Sequence, residues 1–350
     1  MRNKKIFVIF LLIFTVLLSS FTFYAYQVIY TPNILVEKDD RIFIVSEDET
    51  FKSLQDKLHN HKYVSDMVSF SLVAKLMKYD KNIKPGRYLL EGNMTNLAAV
   101  RLLRSGKQAP INLTFTNIRL KSELAERLTS HLAIGEEEFN QALEKFIDNN
   151  KEGFNSNNII SLFIPNTYQV YYDISGEGLI DRMLYEYKQF WNEDRKAKAK
   201  SIGLTPLEVS TLASIVQAES VKRDESRKIA GLYMNRLKRG IALQADPTLV
   251  FASGDYGLKR VLNEHKEIDS PYNTYMYAGL PPGPINMPTI HSLDAVLNYE
   301  KHDYIYMCAK EDFSGYHNFA ATYSEHMKNA RRYQRQLSIE QRKARLNNQN

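Results

Sequence analysis

The sequence predicts an α+β protein: an N-terminal transmembrane helix, a small mixed module, a connecting helical region and a larger C-terminal α+β domain. Three observations lead to this prediction. A long apolar run follows a basic start. Strand-like and helix-like segments follow one another in both halves of the chain. Finally, 350 residues are too many for one typical hydrophobic core, so at least two domains are expected.

The first element is an apolar run that follows Lys4 and Lys5 and reaches Tyr30 without a charged residue. About 20 helical residues cross a bilayer, so residues 6–28 are predicted to contact the membrane. A cleaved signal peptide has a similar basic start and apolar run. The bulky aromatic residues near Tyr24 and Tyr26 favour an uncleaved single-pass anchor, with everything after it outside the cytoplasm.

Composition shifts and turn signals divide the chain further. A strand, two helices, a second strand and a third helix are predicted in the small module, with Pro85-Gly86 as a turn and Gly106 as a helix C-cap. A long helix from Leu179 past Trp191 is predicted in the connecting region. The predicted parts are tip and anchor 1–30, spacer 31–42, module 43–109, connecting region 110–200, C-terminal domain 201–337, and basic polar tail 338–350.

Composition also excludes several classes of protein. The eight histidines lack ligand spacing, so no metal site is predicted, and the single Cys308 cannot form an intrachain disulfide. The formal charge of +6 is modest, and the basic tail is typical of a solvated terminal helix. A nucleic-acid partner would contradict the export signal and is not expected. No cofactor is expected either.

The segment "LASIVQAES" places a carboxylate on an apolar helix face. Thr205 and Pro206 give a helix-start signal upstream. Four residues then share one face at positions i, i+3, i+4 and i+7: Leu212, Ile215, Val216 and Glu219. The side chain of Glu219 is therefore directed at the core or at a cleft.

Two interpretations of Glu219 follow. It could form a structural ion pair with an arginine of the next helix, such as Arg223 or Arg236. Alternatively, apolar surroundings could raise its pKa and hold it protonated as a general acid, as cleavage of a glycosidic bond requires.

A downstream loop favours the second interpretation. The stretch "SPYNTYMYAGLPPGPI" combines three tyrosines and an asparagine with rigid Pro and Gly turns. Aromatic rings and amide groups on a preorganised loop suit sugar rings and N-acetyl groups. A stiff surface loop without a binding role has the same composition, so the loop alone does not decide.

These segments carry a resemblance to a known family. In order and at close spacing, "LASIVQAES", "YMNRL", "LQADPT", "SPYNTY", "GLPPGPI" and "YHNFAATYSEH" resemble the endolytic murein transglycosylases (the MltG or YceG-like family). The resemblance is dense over about residues 205–330. The N-terminal module is similar to the family's LysM-like domain, with "IKPGRYLL" as its best segment.

The resemblance implies a lyase that cleaves the MurNAc-GlcNAc bond within nascent peptidoglycan strands, leaves 1,6-anhydro-MurNAc ends and terminates strand elongation. One carboxyl acts as acid and then as base, so no second catalytic carboxylate is needed. The family's catalytic glutamate corresponds to Glu219. The family is often acidic two residues earlier, where this chain has Gln217, which has no acid-base function.

Other positions in these motifs are expected to line the glycan cleft: Gln244, Asp246, Tyr272, Asn273, Tyr275 and His317. Asp246 could instead cap a helix or turn beside Pro247. His317 could be a core histidine, and Asn235 could hold a neighbouring loop.

The resemblance also implies a location and partners: a bacterial cytoplasmic membrane, with the catalytic domain on the extracytoplasmic side, glycan strands as substrate, and cell-wall synthases nearby. Two rival functions remain. A muramidase-type hydrolase would use Asp246 as base and leave reducing ends. A membrane-anchored scaffold would bind peptidoglycan without cutting it.

Overall fold

The computed structural model describes residues 2–35, 41–258 and 260–347 and confirms the α+β class. The chain forms two compact units. The first unit comprises Met1–Leu113, His131–Ile134 and Tyr168–Ile174. The second unit comprises Thr114–Ser130, Gly135–Thr167 and Ser175–Asn350.

The first unit begins with the predicted apolar helix, α1 (Arg2–Tyr30). Its segment Lys4–Tyr30 has a mean hydropathy of 2.7 and is long enough to cross a membrane. The side chains from Ile6 to Phe23 are not buried against the protein, whereas Val28, in the last turn, is only 6% exposed. The helix therefore joins the folded unit through its C-terminal end.

The rest of the first unit follows the predicted order of strands and helices. These elements are β1 (Arg41–Val45), α2 (Phe51–Asn60), α3 (Met67–Leu76), β2 (Gly86–Leu90) and α4 (Asn96–Ser105). The two strands pair antiparallel, with Arg41 opposite Leu90 and Val45 opposite Gly86. Alternate residues face a core shared with the helices, which fits strands with one buried face.

Two asparagines fasten the end of α1 to this core. The Asn96 side-chain amide donates to the Val28 carbonyl at 2.8 Å, and the Asn33 amide donates to Asn96 Oδ1 at 2.6 Å. Pro32 and Ile34 form β-bridges to residues of the module. The described part of the predicted spacer is therefore packed against the module; residues 36–40 lie outside the described residues.

Two further strands, β3 (Ile111–Phe115) and β4 (Asn166–Val170), form a separate two-stranded sheet. The residues of both strands are divided between the two units. The hydroxyls of Thr114 and Thr167 are 2.7 Å apart within the second unit.

The second unit is mainly helical. Its helices are α5 (Ser122–Thr129), α6 (Glu136–Asn149), α7 (Gly176–Phe190), α8 (Glu193–Ser201), α9 (Pro206–Glu219), α10 (Ser226–Lys238), α11 (Asp246–Ser253), α12 (Ile290–Leu297) and α13 (Tyr323–Asn347). Short 3₁₀ turns lie at Tyr79–Lys81 in the first unit, and at Ile159–Leu162, Arg223–Glu225 and Asn263–Glu267 in the second.

The prediction of one helix continuing past Trp191 is wrong. Helix α7 ends at Phe190, and Trp191 is buried with 1% exposure. The Asn192 side chain accepts a hydrogen bond from the Arg195 N–H at 3.0 Å and caps α8. An N-cap asparagine satisfies the free N–H groups of a new helix, which explains the break.

Helix α9 is largely buried within the second unit and ends at Glu219. A capping box between Thr205 and Glu208 starts it, with Pro206 in the first turn, as predicted. Residues 209–216 are all buried, and the helix packs against α10 and α12. The small residues of α9 are thus buried together with the predicted apolar stripe.

A hairpin and the terminal helix complete the second unit. Strand β5 (Tyr306–Ala309) pairs antiparallel with β6 (His317–Ala320), with Ala309 opposite His317, and α13 packs against both. The predicted basic tail continues α13 as far as Asn347, and residues 348–350 lie outside the described residues.

Candidate active site

Two cavities of the second unit meet at Glu219 and Asp246. One has a volume of about 810 Å³ and extends past Phe251 and Arg119. The other has a volume of about 410 Å³ and extends past Tyr275 and His317. Both are lined by the two carboxylates, so Glu219 lies where the two cavities adjoin, and together they form the candidate cleft.

The environment of Glu219 favours its neutral form. Burial, followed by the negative charge of Asp246, raises the pKa of Glu219 to about 7. The Tyr233 hydroxyl donates to Glu219 Oε1 at 3.2 Å, which stabilises the carboxylate and opposes the rise. At neutral pH the group is therefore populated both as acid and as base.

The alternative of a structural ion pair is not found among the described residues. Arg236, 6% exposed, donates to the carbonyls of Ile305, Ala242 and Leu243 at 2.6 to 2.9 Å. Neither Arg236 nor Arg223 pairs with Glu219 in the part of the chain that the structure describes. The guanidinium of Arg236 instead joins Ile305, the residue before β5, to the segment before α11.

Asp246 does not cap a helix. It is the first residue of α11, whose N-cap, Ala245, makes no side-chain cap bond. Its Oδ1 accepts a hydrogen bond from the Tyr275 hydroxyl. Burial, followed by that hydrogen bond to Asp246, raises the pKa of Tyr275 above its ordinary value, so its hydroxyl remains a donor at neutral pH.

Gln244 lines the smaller cavity in an unusual backbone conformation. Its φ is 53°, in the left-handed region, and its N–H donates to the Thr274 carbonyl at 2.9 Å. Its Oε1 accepts from Arg236 Nη1 at 3.2 Å. A non-glycine residue at positive φ is uncommon, and these two bonds hold it in place.

Asn273 does not line the cleft, so that prediction is wrong. Its side chain is fully buried, with 0% exposure. The amide donates to the Lys266 and Ile268 carbonyls at 2.9 and 2.8 Å, and Oδ1 accepts from the N–H groups of Tyr275 and Met276. These bonds fold the loop that positions Tyr275, which is a structural role.

Tyr272 lines neither of the two cavities that meet at Glu219. Its ring packs against Phe251 at 4.6 Å between centroids, and its hydroxyl is 3.5 Å from the Asn157 carbonyl. Both Tyr272 and Phe251 line a smaller cavity of about 230 Å³, which also contacts Arg119. Tyr272 is thus adjacent to the cleft at Glu219 but is not part of it.

His317 lies on β6 at the edge of the smaller cleft cavity. Its Nδ1 is 3.0 Å from Glu225 Oε2, and its main-chain N–H donates to the same carboxylate at 3.1 Å. The position of the ring is therefore fixed by the turn that precedes α10. In the described residues, no group of three or more His, Cys, Asp or Glu side chains could hold a metal ion.

Gln217 lines the larger cavity and fixes part of its wall. Its amide donates to Asn286 Oδ1 at 3.0 Å and to the Met287 carbonyl at 3.2 Å. Its Oε1 accepts from the Thr289 N–H at 2.6 Å. These bonds join the end of α9 to the segment that follows "GLPPGPI", so Gln217 holds that segment beside Glu219.

Some residues that line the cavities or contact Glu219 were not predicted from the sequence. Tyr233 lies within "YMNRL" and is three residues before Arg236, so the helical spacing places both side chains on one face. This spacing is the sequence signal that could have identified Tyr233. Arg119 and Arg260 line the larger cavity from segments far apart in sequence, and no local pattern indicates this. Asn235 donates to the His302 and Tyr304 carbonyls, which supports its interpretation as a loop-holding residue.

The chain is similar to known proteins over most of its length. The profile described as the YceG-like family matches residues 43–332. A crystal structure of a yceG-like protein from Listeria monocytogenes matches with a TM-score of 0.52 and 25% identity, and covers 83% of this chain and 99% of that one.

Proteins named endolytic murein transglycosylase are among its relatives. The protein from Streptococcus pneumoniae (strain D39) is 27% identical over 340 residues, covering 88% of this chain but only 61% of its own length. The protein from Bacillus subtilis (strain 168) is 28% identical over 317 residues, covering 85% of this chain and 87% of its own. The chain therefore spans about 61% of the pneumococcal relative.

Proposed function

Because the chain belongs to the YceG-like family, we propose that it is an endolytic peptidoglycan lytic transglycosylase with Glu219 as its acid-base group. The single observation that carries this proposal is the position of Glu219, a carboxyl with a pKa of about 7 where the two cavities of the cleft adjoin. The names of the relatives from S. pneumoniae and B. subtilis support the same activity.

In the proposed reaction one carboxyl performs two proton transfers. Protonated Glu219 donates its proton to the glycosidic oxygen between MurNAc and GlcNAc, and the bond from C1 to that oxygen breaks. The C6 hydroxyl of the same MurNAc then attacks C1, and its proton passes to the Glu219 carboxylate. The products are a 1,6-anhydro-MurNAc end and a GlcNAc end, and the enzyme regains its acid form.

The pKa of Glu219 matches this double role. A group with a pKa of about 7 exchanges protons in both directions at neutral pH with little cost. Burial and, after it, the charge of Asp246 raise the pKa of Glu219, and Tyr233 lowers it, so the three effects together place it near neutrality. No water nucleophile enters the reaction, so Asp246 acts through its charge and not as a base.

The shape of the cleft supports cleavage within a strand. The cavities of about 810 and 410 Å³ both reach the two carboxylates while their other lining residues differ, and each is within the size range of a ligand site. A strand can therefore extend in both directions from the bond that is cut. We propose that Gln244, Tyr275 and His317 contact sugars on the smaller side.

The first unit supports a role at the membrane. We infer that α1 spans the cytoplasmic membrane once, and that Lys4 and Lys5 keep its start inside the cell. The antiparallel strands and two intervening helices of residues 41–90 support a LysM-like, glycan-binding module. The substrate is then nascent glycan near the membrane, where cell-wall synthases work.

The proposal is tested by mass spectrometry of the fragments released from uncrosslinked glycan strands. The full chain in detergent and its Glu219→Gln variant are incubated with strands polymerised in vitro, and the released ends are identified. We expect 1,6-anhydro-MurNAc ends from the wild-type chain and none from the variant. The matched control is Glu193→Gln, which changes a solvent-exposed carboxylate of α8 and should leave activity unchanged.

Other products would identify other functions. Reducing MurNAc ends, lost in both Glu219→Gln and Asp246→Asn, would establish a muramidase-type hydrolase. Intact strands that bind the chain with equal affinity in both variants would establish a scaffold without catalysis. Either result would overturn the lytic mechanism.

A further inference from the structure

Two arginines line the larger cleft cavity without an ion-pair partner among the described residues. The guanidinium of Arg119 lies over the Tyr256 ring, 4.7 Å from its centroid, and Arg260 is solvent-exposed. Both line the cavity that also contains Glu219 and Asp246. Among the described residues, neither arginine forms an ion pair or a side-chain hydrogen bond with these carboxylates, which accept from the Tyr233 and Tyr275 hydroxyls, so the guanidinium donors are available to a ligand.

A side cavity begins where the larger cavity ends. Its volume is about 230 Å³, and it shares Arg119 and Phe251 with the larger cavity. Its wall combines the Asn157 carbonyl and the Tyr272 hydroxyl with the apolar side chain of Ile160. A wall with main-chain acceptors, a hydroxyl and apolar patches fits a short peptide better than a sugar ring.

The charges in this region do not match a bare glycan. A GlcNAc-MurNAc strand whose lactyl groups are joined to peptide stems through amide bonds has no charge of its own. The stems carry free carboxylates. Guanidinium groups bind carboxylates through paired, charge-assisted hydrogen bonds, which makes the two arginines suitable partners for a stem.

Resting on the proposed function, we propose that Arg119, Arg260 and the side cavity bind the peptide stem of a MurNAc residue in the cleft, so that the enzyme selects stem-bearing strands over denuded ones. The glycan occupies the cleft past Glu219. The stem branches from it into the side cavity, with its carboxylates held by the two guanidinium groups.

The test compares two forms of one substrate. Uncrosslinked strands are used as made, or after an amidase has cut the bond between stem and lactyl group and the lactyl carboxylates so freed have been converted to uncharged methylamides. The full chain in detergent is assayed on both, and kcat/KM is measured for each. We expect the wild-type chain to prefer stem-bearing strands by at least about tenfold, as two charge-assisted contacts would give.

Variants assign that preference to the arginines. The double variant Arg119→Gln/Arg260→Gln should lose the preference, mainly through a higher KM for stem-bearing strands, and should cleave denuded strands like the wild type. Arg119→Lys/Arg260→Lys should regain part of the preference because it keeps the charge. Arg331→Gln, which changes an exposed arginine of α13, is the matched control and should retain the full preference.

The result separates this proposal from the activity itself. Equal cleavage of both substrates by the wild-type chain, or an equal loss on both in the Gln double variant, would overturn stem selection and leave the lytic activity standing. Cleavage of neither substrate by the wild-type chain would overturn both. Because all variants are compared by their ratio on the two substrates, partial unfolding lowers both rates and cannot imitate the expected result.

Discussion

The Tyr233 hydroxyl donates to Glu219 Oε1 at 3.2 Å, from α10 to the last residue of α9. It is the described contact that favours the charged form of Glu219, while burial and Asp246 favour the neutral form. Burial therefore sets most of the pKa of the proposed acid, and two neighbours that can be changed separately adjust it in opposite directions.

Tyr233→Phe should move the high-pH limb of the activity profile upward. The substitution removes a donor that stabilises the carboxylate, so the pKa of Glu219 rises and the acid stays protonated to higher pH, by roughly one pH unit. The measurement is kcat/KM on uncrosslinked strands between about pH 5 and pH 9, a range that brackets the expected change. An unmoved limb in a folded variant would show that Tyr233 does not tune Glu219.

Asp246→Asn should move the same limb in the opposite direction. Removing the negative charge beside Glu219 lowers the pKa of that carboxyl, so activity is lost at a lower pH, by about one unit. The pair of variants forms an internal control, since a general loss of structure would not shift the two profiles in opposite senses. A shift upward in Asp246→Asn contradicts the proposed coupling.

Glu219→Gln should stabilise the fold increasingly as the pH rises. The pKa of Glu219 is about 7 when folded and about 4.3 when unfolded, so the wild-type chain loses stability between those values as the unfolded state releases its proton first. The variant avoids this loss, which is on the order of 3 kcal/mol by about pH 8. Melting temperatures at about pH 5 and pH 8 measure it, with Glu193→Gln as control. If the melting temperatures of the variant and the wild-type chain differed by the same amount at both pH values, that result would contradict the raised pKa.

Asn273→Ala should destabilise the second unit. The substitution leaves the part-buried carbonyls of Lys266 and Ile268 and the Tyr275 N–H without their side-chain partner, at a cost of about 1 to 3 kcal/mol. Denaturant unfolding measures the cost. Asn112→Ala, at an exposed position of β3, should change stability by no more than about 0.5 kcal/mol. Equal effects of both substitutions would argue against the structural role of Asn273.

Gly283→Ala should disturb the loop beside the cleft. A Cβ at this position would lie 2.0 Å from the Asn157 carbonyl oxygen, a backbone atom that cannot rotate away. We expect the free energy of unfolding to fall by about 1 to 3 kcal/mol, as for other overpacked sites. At Gly257 the nearest atom is a side-chain oxygen 3.4 Å away, so Gly257→Ala is the milder control. A variant as stable as wild type would contradict this close approach.

Local signals in the sequence predicted much of the fold. The Thr205 cap with Pro206 marked the start of α9, and Gly106 marked the end of α4, because caps satisfy backbone groups within a few residues. The break at Trp191 was missed because helix-forming sequence lies on both sides of it, in α7 and in the polar helix α8. The side chain of Asn192 decides that break.

The candidate site was less accessible to sequence reasoning. Glu219 could be chosen because its charge interrupts an apolar helix and matches a family position. Asn273 and Tyr275 are two residues apart in one loop, yet the first is buried and the second lines the cleft. The tertiary fold alone decides which of them faces the substrate. Arg119 and Arg260 line one cavity for the same reason, although they are far apart in sequence.

The hydrogen bond from the Asn96 side chain to the Val28 carbonyl fixes the C-terminal end of α1 to the small module that follows it. The apolar segment Lys4–Tyr30 is longer than the roughly 20 residues that cross an average bilayer, and excess length is accommodated mainly by tilt. If α1 spans the membrane as proposed, a change in bilayer thickness is expected to change the tilt of α1 and of the module joined to it. On the proposed membrane insertion of α1, the orientation of this module is therefore expected to depend on lipid composition.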